Sequence, residues 1–402
     1  MPKSQLEHAP NIATLLKGTA FEATDVRRIH VGTTNFAYRI FLKTPLEGGE
    51  RTAILKYSAP LTATEPRVPF SPNRQAFEVN ALANIPWHEF TYPIVPQLAP
   101  QSQAIVKLPK LYLSVPDLDF CIIEDCTPRP QATVWDQYAH SFREFLEDQP
   151  PSREKYEAAS SLGTMLGSFL AQLHTWGLHR SDHSTAFALF SKNIYAKELM
   201  TKELFDNFRQ NIKQLGYIVS AHQQAQLQER LTQVNESLNS ETQSVAMGDF
   251  WMGNVLINLD DKQRLRDIYV IDWEFVNMAP TWLDVGNFVG ELFLIGYFEG
   301  TDDAYIHVLE AFITAYRGCG LPLDTSRALQ FAGAHIMMSL PRRVTSKRSK
   351  ATFETALPYV ETSLKLITDP EFNYLLGKES DPLMTIARLL RNARQPSTTQ
   401  DG

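Results

Sequence analysis

The stretch Met247–Ile257, MGDFWMGNVLI, decides how the rest of the chain reads, together with Val270–Phe275, VIDWEF, which begins thirteen residues past its end. Asp249 and Asn254 stand five positions apart with Phe250, Trp251 and Met252 between them, so neither polar side chain lies in a merely solvated run. Asp272 follows Tyr269, Val270 and Ile271 and precedes Trp273, which predicts a carboxylate inside an apolar strand. A buried carboxylate is unfavourable without a partner or a metal. Taken alone, the pattern DxxxxN reads as readily as a polar turn between two strands; the downstream Asp272 weighs against that.

The whole chain sets the frame. Its 402 residues are 44% hydrophobic, 21% charged and 11% aromatic, the composition of a globular protein. This length predicts roughly two or three units. A formal net charge of -7 opposes a broad footprint on a phosphate backbone, so nucleic acid is not an expected partner. The local basic run of Arg342, Arg343, Lys347, Arg348 and Lys350 reads as a solvated loop.

Cys121, Cys126 and Cys319 show no CxxC spacing, which predicts neither a disulfide framework nor a zinc site and fits a reducing compartment. His174, His179 and His183 read as core or surface histidines, because their spacing does not make a ligand set. Residues 1–20 are broken by Glu7, His8 and Pro10 where a secretory signal needs an apolar run, and Asp284 and Glu291 interrupt the longest apolar stretch. The expectation is a soluble, cytoplasmic protein that does not enter a membrane.

Strand-like patterns fill the first third: RRIHVG, FAYRIFL, RTAILKYS, LPKLYLSV and FCIIE, with Leu46–Glu50 as a hairpin loop. One helical pattern, NRQAFEVNALANI, interrupts them. EDCTPRPQ leaves the sheet, because each proline lacks a ladder donor. Beyond it, Leu162, Leu166, Phe169, Leu170 and Leu173 wrap one face of a core helix, and Gly163 and Gly167 on that helix predict close packing against another. Further helices are expected over 185–235, strands at SVAMGDF, NVLIN and RDIYVIDW, and helices again from Trp282 to about Arg394.

A small mostly-β unit, then a larger helical one carrying DxxxxN and a later aspartate, resembles the protein-kinase-like fold. More specifically, Gly248, Asp249 and Asn254, followed by Ile271, Asp272, Trp273 and Glu274, resemble the HGDxxxxN and IDWE motifs of the aminoglycoside phosphotransferase and choline kinase branch of small-molecule kinases. Gly32, Thr33, Thr34 and Asn35 look like that family's nucleotide loop, and AILK ending at Lys56 like its third strand. The resemblance runs in order from Val26 to Phe288.

It implies an α+β, bilobal protein-kinase-like fold: a mostly-β N-terminal nucleotide lobe with one helix over 1–124, a hinge over 125–130, and a larger, mostly-α catalytic lobe over 131–394. A disordered tail over 395–402 follows from composition. The resemblance also implies ATP and Mg²⁺ as cofactors and a small-molecule hydroxyl as acceptor, gripped by helices of 185–235 and 300–345. Asp249 would orient the attacking hydroxyl. Asn254 and Asp272 would supply hard oxygen ligands to the metal.

Lys56 would contact phosphate oxygens, held by Glu78 across the long loop from Ser58 to Ser71; an exposed strand lysine and an exposed helix glutamate are the alternative. The backbone of Gly32–Asn35 would approach the phosphates, with a simple hairpin turn as the alternative reading. Glu124 to Cys126 would meet the adenine edge. Asp284 in PTWLD would brace the catalytic loop. Glu274 and Asp284, with Trp251 and Trp273, would suit a cationic acceptor.

The chain departs from the pattern at Met247, where the family has a loop-bracing histidine. A catalytically silent, nucleotide-binding scaffold is therefore the second reading. A protein kinase is a third, disfavoured by the absence of DFG and APE.

Overall fold

The strand-like runs of the first third build a five-stranded antiparallel sheet. In the computed structural model the chain is described at residues 3–30, 32, 34–64, 67–92, 104–127, 151–241, 243–259, 265–298, 303–345, 352–369, 386, 388 and 390. Expectations for Thr33, for 128–130 of the linker, for Lys347, Arg348 and Lys350, and for the tail over 395–402 lie outside these residues.

The sheet comprises β1 (Ala23–Ile29), β2 (Phe36–Leu42), β3 (Thr52–Tyr57), β5 (Leu111–Val115) and β6 (Phe120–Glu124) in the order β1-β2-β3-β6-β5. Directly opposed residues in a ladder share a face. Ala37 faces Lys56 and Arg39 faces Ile54 across β2 and β3, while Lys56 faces Cys121 and Ile54 faces Ile123 across β3 and β6. One surface of the sheet therefore carries Ala37, Arg39, Ile54, Lys56, Cys121 and Ile123. The other carries Phe36, Tyr38, Ile40, Leu55, Tyr57 and Ile122, closed by Ile12 and Leu16 from α1 (Ala9–Leu15) and its C-terminal edge into a small separate core. The hairpin at Leu46–Glu50 joins β2 to β3 as expected, and Gly49 takes the positive φ of 87° that its turn requires.

The larger part is helical. Its central element, α3 (Arg153–Leu178), follows α2 (Arg74–Asn84) and is capped by the Ser152 side chain, which accepts from the Lys155 N–H. Leu162, Leu166, Phe169, Leu170 and Leu173 are all fully buried along it. Then come α4 (Arg180–Phe190), α5 (Ile194–Thr201), α6 (Phe208–Gln214), α7 (Ala221–Ser240), α8 (Trp282–Phe293), α9 (Ala304–Gly318), α10 (Thr325–Thr345) and α11 (Phe353–Thr368). A Cβ at Gly163 would stand 2.2 Å from the Val308 carbonyl oxygen, and one at Gly167 2.3 Å from that of Phe312. Any side chain at either position would force α3 and α9 apart. Among the described residues no helix is long and apolar enough to cross a membrane.

Five short strands in two small sheets hold the segment between these helices. β7 (Ser244–Ala246) pairs with β10 (Asn277–Ala279), and β8 (Val255–Leu259) pairs with β9 (Leu265–Val270). The third strand of the β8–β9 sheet is β4 (Ile105–Lys107), which joins β9 in parallel from far upstream. Sequence reading gives no sign of β4, because three residues are too few for a period and the partner strand is remote.

Candidate active site

The turn after β7 is shaped by one glycine. Gly248 has φ of 82°, and a Cβ there would lie 2.5 Å from the Phe275 carbonyl oxygen, so only glycine passes the loop this close to the VIDWEF segment. The next residue, Asp249, is then locked. Its Oδ2 accepts from Trp251 Nε1 at 3.2 Å and from Asn254 Nδ2 at 2.9 Å, and its backbone carbonyl accepts from the same Nδ2 at 2.9 Å. Among the described residues Oδ1 accepts no hydrogen bond, so one carboxylate oxygen remains for an incoming group. Burial, and then the nearby negative charge of Asp272, push the Asp249 carboxyl up to about 6.

Asp284, in the first turn of α8, braces this loop from below. Its Oδ2 accepts from the Met247 N–H at 2.7 Å and its Oδ1 from the Gly248 N–H at 2.9 Å. His174 of α3 approaches the same Oδ2 with Nε2 at 3.2 Å, while its Nδ1 lies 2.7 Å from the Tyr316 hydroxyl. Met247 fills apolar space beside them, fully buried. Histidine is thus absent from the loop but present beneath it, brought in by α3. Its one sequence signal is its place directly after Leu173 on the buried face of that helix.

Lys56, Glu78 and Asp272 converge. The Lys56 ammonium lies 2.6 Å from Glu78 Oε1 and 2.7 Å from Asp272 Oδ1, with side-chain exposures of 11%, 2% and 30%. Burial alone would lower the lysine pKa; Asp272 and Glu78 outweigh it, and the net shift is upward, so the ammonium stays charged. The long loop from Ser58 to Ser71 does not loosen the pairing. Arg74, at the start of α2, donates to the carbonyls of Ala59, Phe70 and Ser71 and so ties both ends of that loop to the helix that carries Glu78.

Asp272 differs from its sequence reading in one respect. β9 ends at Val270, and Asp272 lies beyond it with φ of 67°, in the left-handed region where Asp and Asn are tolerated. The backbone leaves the strand there, and this delivers the carboxylate to the cleft rather than into the core.

Asn35 has its carboxamide engaged. Nδ2 donates to Glu274 Oε2 at 2.8 Å, and Oδ1 accepts from Arg74 Nη2 at 2.8 Å and from the Ser58 hydroxyl at 3.1 Å. Arg74 pairs with Glu274 at 2.9 Å, both side chains buried. The side chain of Asn35 therefore fastens its loop to the VIDWEF segment, and the Thr34 carbonyl accepts from Arg74 Nη2 at 3.4 Å. No heavy atom lies within 4 Å of a Cβ built on Gly32.

The proposed cation-binding group is corrected by the same contacts. Glu274 is committed to Arg74 and Asn35, Asp284 to two loop N–H groups, and Trp273 is fully buried with its indole donating to the Val270 carbonyl at 2.9 Å. Of that set only Trp251 is partly exposed beside Asp249. Sequence proximity misled here, because all three are turned inward to partners.

In the segment expected to act as the hinge, the Glu124 carboxylate accepts from the Tyr269 hydroxyl at 2.8 Å and from the Lys110 N–H at 3.1 Å, and Cys126 is buried. Arg39, unremarked in the sequence, forms a bidentate pair with Asp125.

Within the Asp249–Asn254 loop, Phe250 packs on Phe288 of α8 with ring centroids 5.1 Å apart. One turn further along α8, Glu291 pairs with His335 at 3.0 Å and with Arg343 of α10. Burial would raise the Glu291 carboxyl, but Arg343 and His335 overcome this and hold it at about 2, against an ordinary 4.5. A depressed carboxyl contributes stability above its unfolded pKa that is lost as pH falls through the folded one. Glu291 should therefore contribute on the order of 3 kcal/mol, lost between about pH 4.5 and 2. Acid unfolding of Glu291→Gln should be shallower over that window; a slope equal to wild type would refute the assignment.

A cavity of about 590 Å³ opens between α6 and α7, lined by Phe208, Arg209, Tyr217 and Leu227 among others. None of Asp249, Asn254 or Asp272 reaches it, so it is not where the reacting atoms would meet.

The β-sheet part, the helical part, the Lys–Glu–Asp cluster and the braced Asp…Asn loop together form the arrangement expected of a protein-kinase-like fold. Residues 150–291 match the model of the ecdysteroid kinase-like family. The chain is 25% identical over 320 residues to a 4-hydroxytryptamine kinase of Psilocybe cyanescens, covering 78% of this chain and 80% of that protein. It is 24% identical over 315 residues to the phosphotransferase FrzJ of Cladobotryum sp., covering 75% and 77%. Among solved structures it is similar to an ethanolamine kinase of Plasmodium vivax, at 12% identity and a TM-score of 0.44 over 92% of this chain and 88% of that one.

Proposed function

We propose that the chain moves the γ-phosphate of ATP, taken as its Mg²⁺ complex, to a hydroxyl of a small-molecule acceptor. The observation that carries this reading is the position of the Lys56 ammonium, within 2.7 Å of both Glu78 and Asp272. Residues 1–124 act as the nucleotide lobe, 125–130 as the hinge and 131–394 as the catalytic lobe. Three free cysteines, two of them buried, fit a reducing, cytoplasmic setting. The net charge of -7 offers nothing to a nucleic-acid backbone.

The donor set fits the metal. Asn254 turns its Nδ2 inward to Asp249, which leaves Oδ1 as its free atom, and Asp272 keeps Oδ2 after Lys56 has taken Oδ1. Among the described residues no group of three or more His, Cys, Asp or Glu side chains is arranged to hold an ion. Two protein oxygens suit Mg²⁺, which keeps waters and takes phosphate oxygens as its other ligands. When bound, the ion neutralises the phosphate oxygens and positions them.

The protein groups do the rest. Lys56, held by Glu78, pairs with phosphate oxygens, the backbone of Gly32 to Asn35 lies along them, and backbone groups of Glu124 to Cys126 meet the base. Asp249 accepts a hydrogen bond from the acceptor hydroxyl at Oδ1 and aligns it for in-line attack.

Silence of the site would be the expected consequence of a lost loop histidine. The bracing by Asp284 and His174 removes that objection, since the Met247 and Gly248 N–H groups are held without it. A protein-kinase reading is disfavoured because α8 begins ten residues after Asp272, leaving no room for a long activation segment.

Addition of ATP at about a hundred times its dissociation constant should stabilise the protein by roughly 2.7 kcal/mol in thermal unfolding, and only with Mg²⁺ present. Incubation with a panel of hydroxylated amines, amino alcohols and sugars should then show acceptor-dependent ATP loss. Given the names of its relatives, 4-hydroxytryptamine is the first to try. No Mg²⁺-dependent shift would defeat the reading; a shift without turnover on any acceptor would favour the silent scaffold.

A further inference from the structure

Asn193 stands at the junction of α4 and α5, where an asparagine ordinarily caps the following helix by accepting from its first N–H groups. Here the side chain makes no such cap. It is 2% exposed, and its Nδ2 donates instead to the Glu274 carbonyl at 3.0 Å and to the Val276 carbonyl at 2.8 Å, 81 and 83 positions downstream.

Those two carbonyls belong to the turn that follows Asp272. With φ of 67°, Asp272 occupies the left-handed region, which a residue other than glycine keeps only where its surroundings hold the backbone. Before it, the Ile271 N–H donates to the Asn254 carbonyl at 2.9 Å. After it, the Val276 N–H donates to the Trp273 carbonyl at 3.1 Å, and the Phe275 carbonyl accepts from Asn277 Nδ2 at 2.7 Å. These last two bonds are local and shape the turn. Asn193 fastens it to a helix junction far upstream.

The same turn is gripped by the β-sheet part. The Glu274 side chain pairs with Arg74 at 2.9 Å and accepts from Asn35 Nδ2 at 2.8 Å, and the Phe275 ring centroid lies 6.1 Å from that of Phe70. Two residues past Asn193, the Tyr195 ring meets Phe70 at 5.3 Å and its hydroxyl donates to the Pro69 carbonyl at 3.3 Å. Glu274, two positions after Asp272, is thus held by its main chain from one side and by its side chain from the other.

We infer that Asn193 is a positioning residue of the phosphoryl-transfer site: by holding the Glu274 and Val276 carbonyls it fixes the turn that presents the Asp272 carboxylate to the metal. Removing the amide leaves two carbonyls in a dry site without that donor, and the turn relaxes at the metal ligand. This rests on the metal–nucleotide reading of Asp272.

The test is calorimetric binding of ADP to the full chain across a Mg²⁺ titration, with melting temperature recorded, in wild type, Asn193→Leu, Asn193→Ser and Ser363→Ala. The last loses another buried bond to a carbonyl, from the Ser363 hydroxyl to Gly333 at 2.7 Å, between α11 and α10. Asn193→Leu should raise the Mg²⁺ concentration at half-maximal ADP binding about tenfold, as the loss of two buried hydrogen bonds allows, and should melt lower. Asn193→Ser, small enough to admit water to the carbonyls, should shift the midpoint less and in the same direction, and it decides the matter alone if Asn193→Leu does not fold. Ser363→Ala should melt lower with its Mg²⁺ midpoint unmoved. An unmoved midpoint in the Asn193 variants, or an equal shift in Ser363→Ala, would overturn the positioning role and leave the nucleotide site standing. Wild type that binds no ADP, or binds it without regard to Mg²⁺, would remove the metal–nucleotide reading and this inference together.

Discussion

Asp249→Asn is expected to lower kcat by about a thousandfold while leaving the ATP KM near its wild-type value. The two side chains are nearly isosteric, and the hydrogen bond from Asn254 Nδ2 to the backbone carbonyl of residue 249 survives the change. What disappears is the charge on the one oxygen that the loop leaves unpartnered. A hydroxyl next to a neutral carboxamide is oriented but not polarised, and its proton has no acceptor as bond formation proceeds. Because Asp249 makes no contact that the nucleotide needs, the defect belongs to turnover and not to nucleotide binding. Steady-state kinetics with the acceptor saturating would check this; a variant within a few-fold of wild type would show that Asp249 is not the acceptor-orienting group.

Asp272→Asn should act on the other half of the reaction. Nucleotide affinity should lose its dependence on Mg²⁺, and kcat/KM should fall by about a thousandfold or more, since the metal supplies several kcal/mol of charge stabilisation. The substitution is a clean one because asparagine tolerates the left-handed backbone found at this position, where φ is 67°. Lys56 keeps its partner Glu78, so the upper lobe should remain in register. Titration of Mg²⁺ against a fixed ATP analogue would report the effect directly. An unchanged metal dependence would move the ion away from Asp272 and with it the rationale for Asn254. The two variants are separable: the first binds Mg²⁺–ATP and fails to turn over, and the second fails earlier.

Much of this architecture was legible from local pattern. FAYRIFL, RTAILKYS and FCIIE are strand-like runs and became β2, β3 and β6; Leu162, Leu166, Leu170 and Leu173 of α3 recur with the helical period and are all buried. The Gly163 and Gly167 pair announced a close helix crossing, and Val308 and Phe312 of α9 occupy it. Asp249, Asn254 and Asp272 stood out because polar oxygen atoms interrupted apolar runs.

Other features had no local signature. Arg39 looks like any polar residue on an alternating strand, and only the sheet order brings it across Ile54 to Asp125. His174 is one of three nearby histidines, none of which could be preferred before α3 was packed against α8 and α9. Glu274, Asp284 and Trp273 seemed available to an acceptor because they lie close to the motifs in sequence; each is turned inward to partners of its own.

The amino-acid order by itself pointed to a mostly-β part followed by a helical one and to three oxygen-bearing side chains as candidates, because strand-like runs, helical period and a carboxylate in apolar surroundings are properties of short windows. Partner choice belonged to the tertiary structure alone. Arg39 meets Asp125 across 86 positions, Lys56 meets Asp272 across 216 and Asn35 meets Glu274 across 239. Which charges are neutralised inside the protein and which stay open to a ligand depends on those long-range contacts, and no local window contains them.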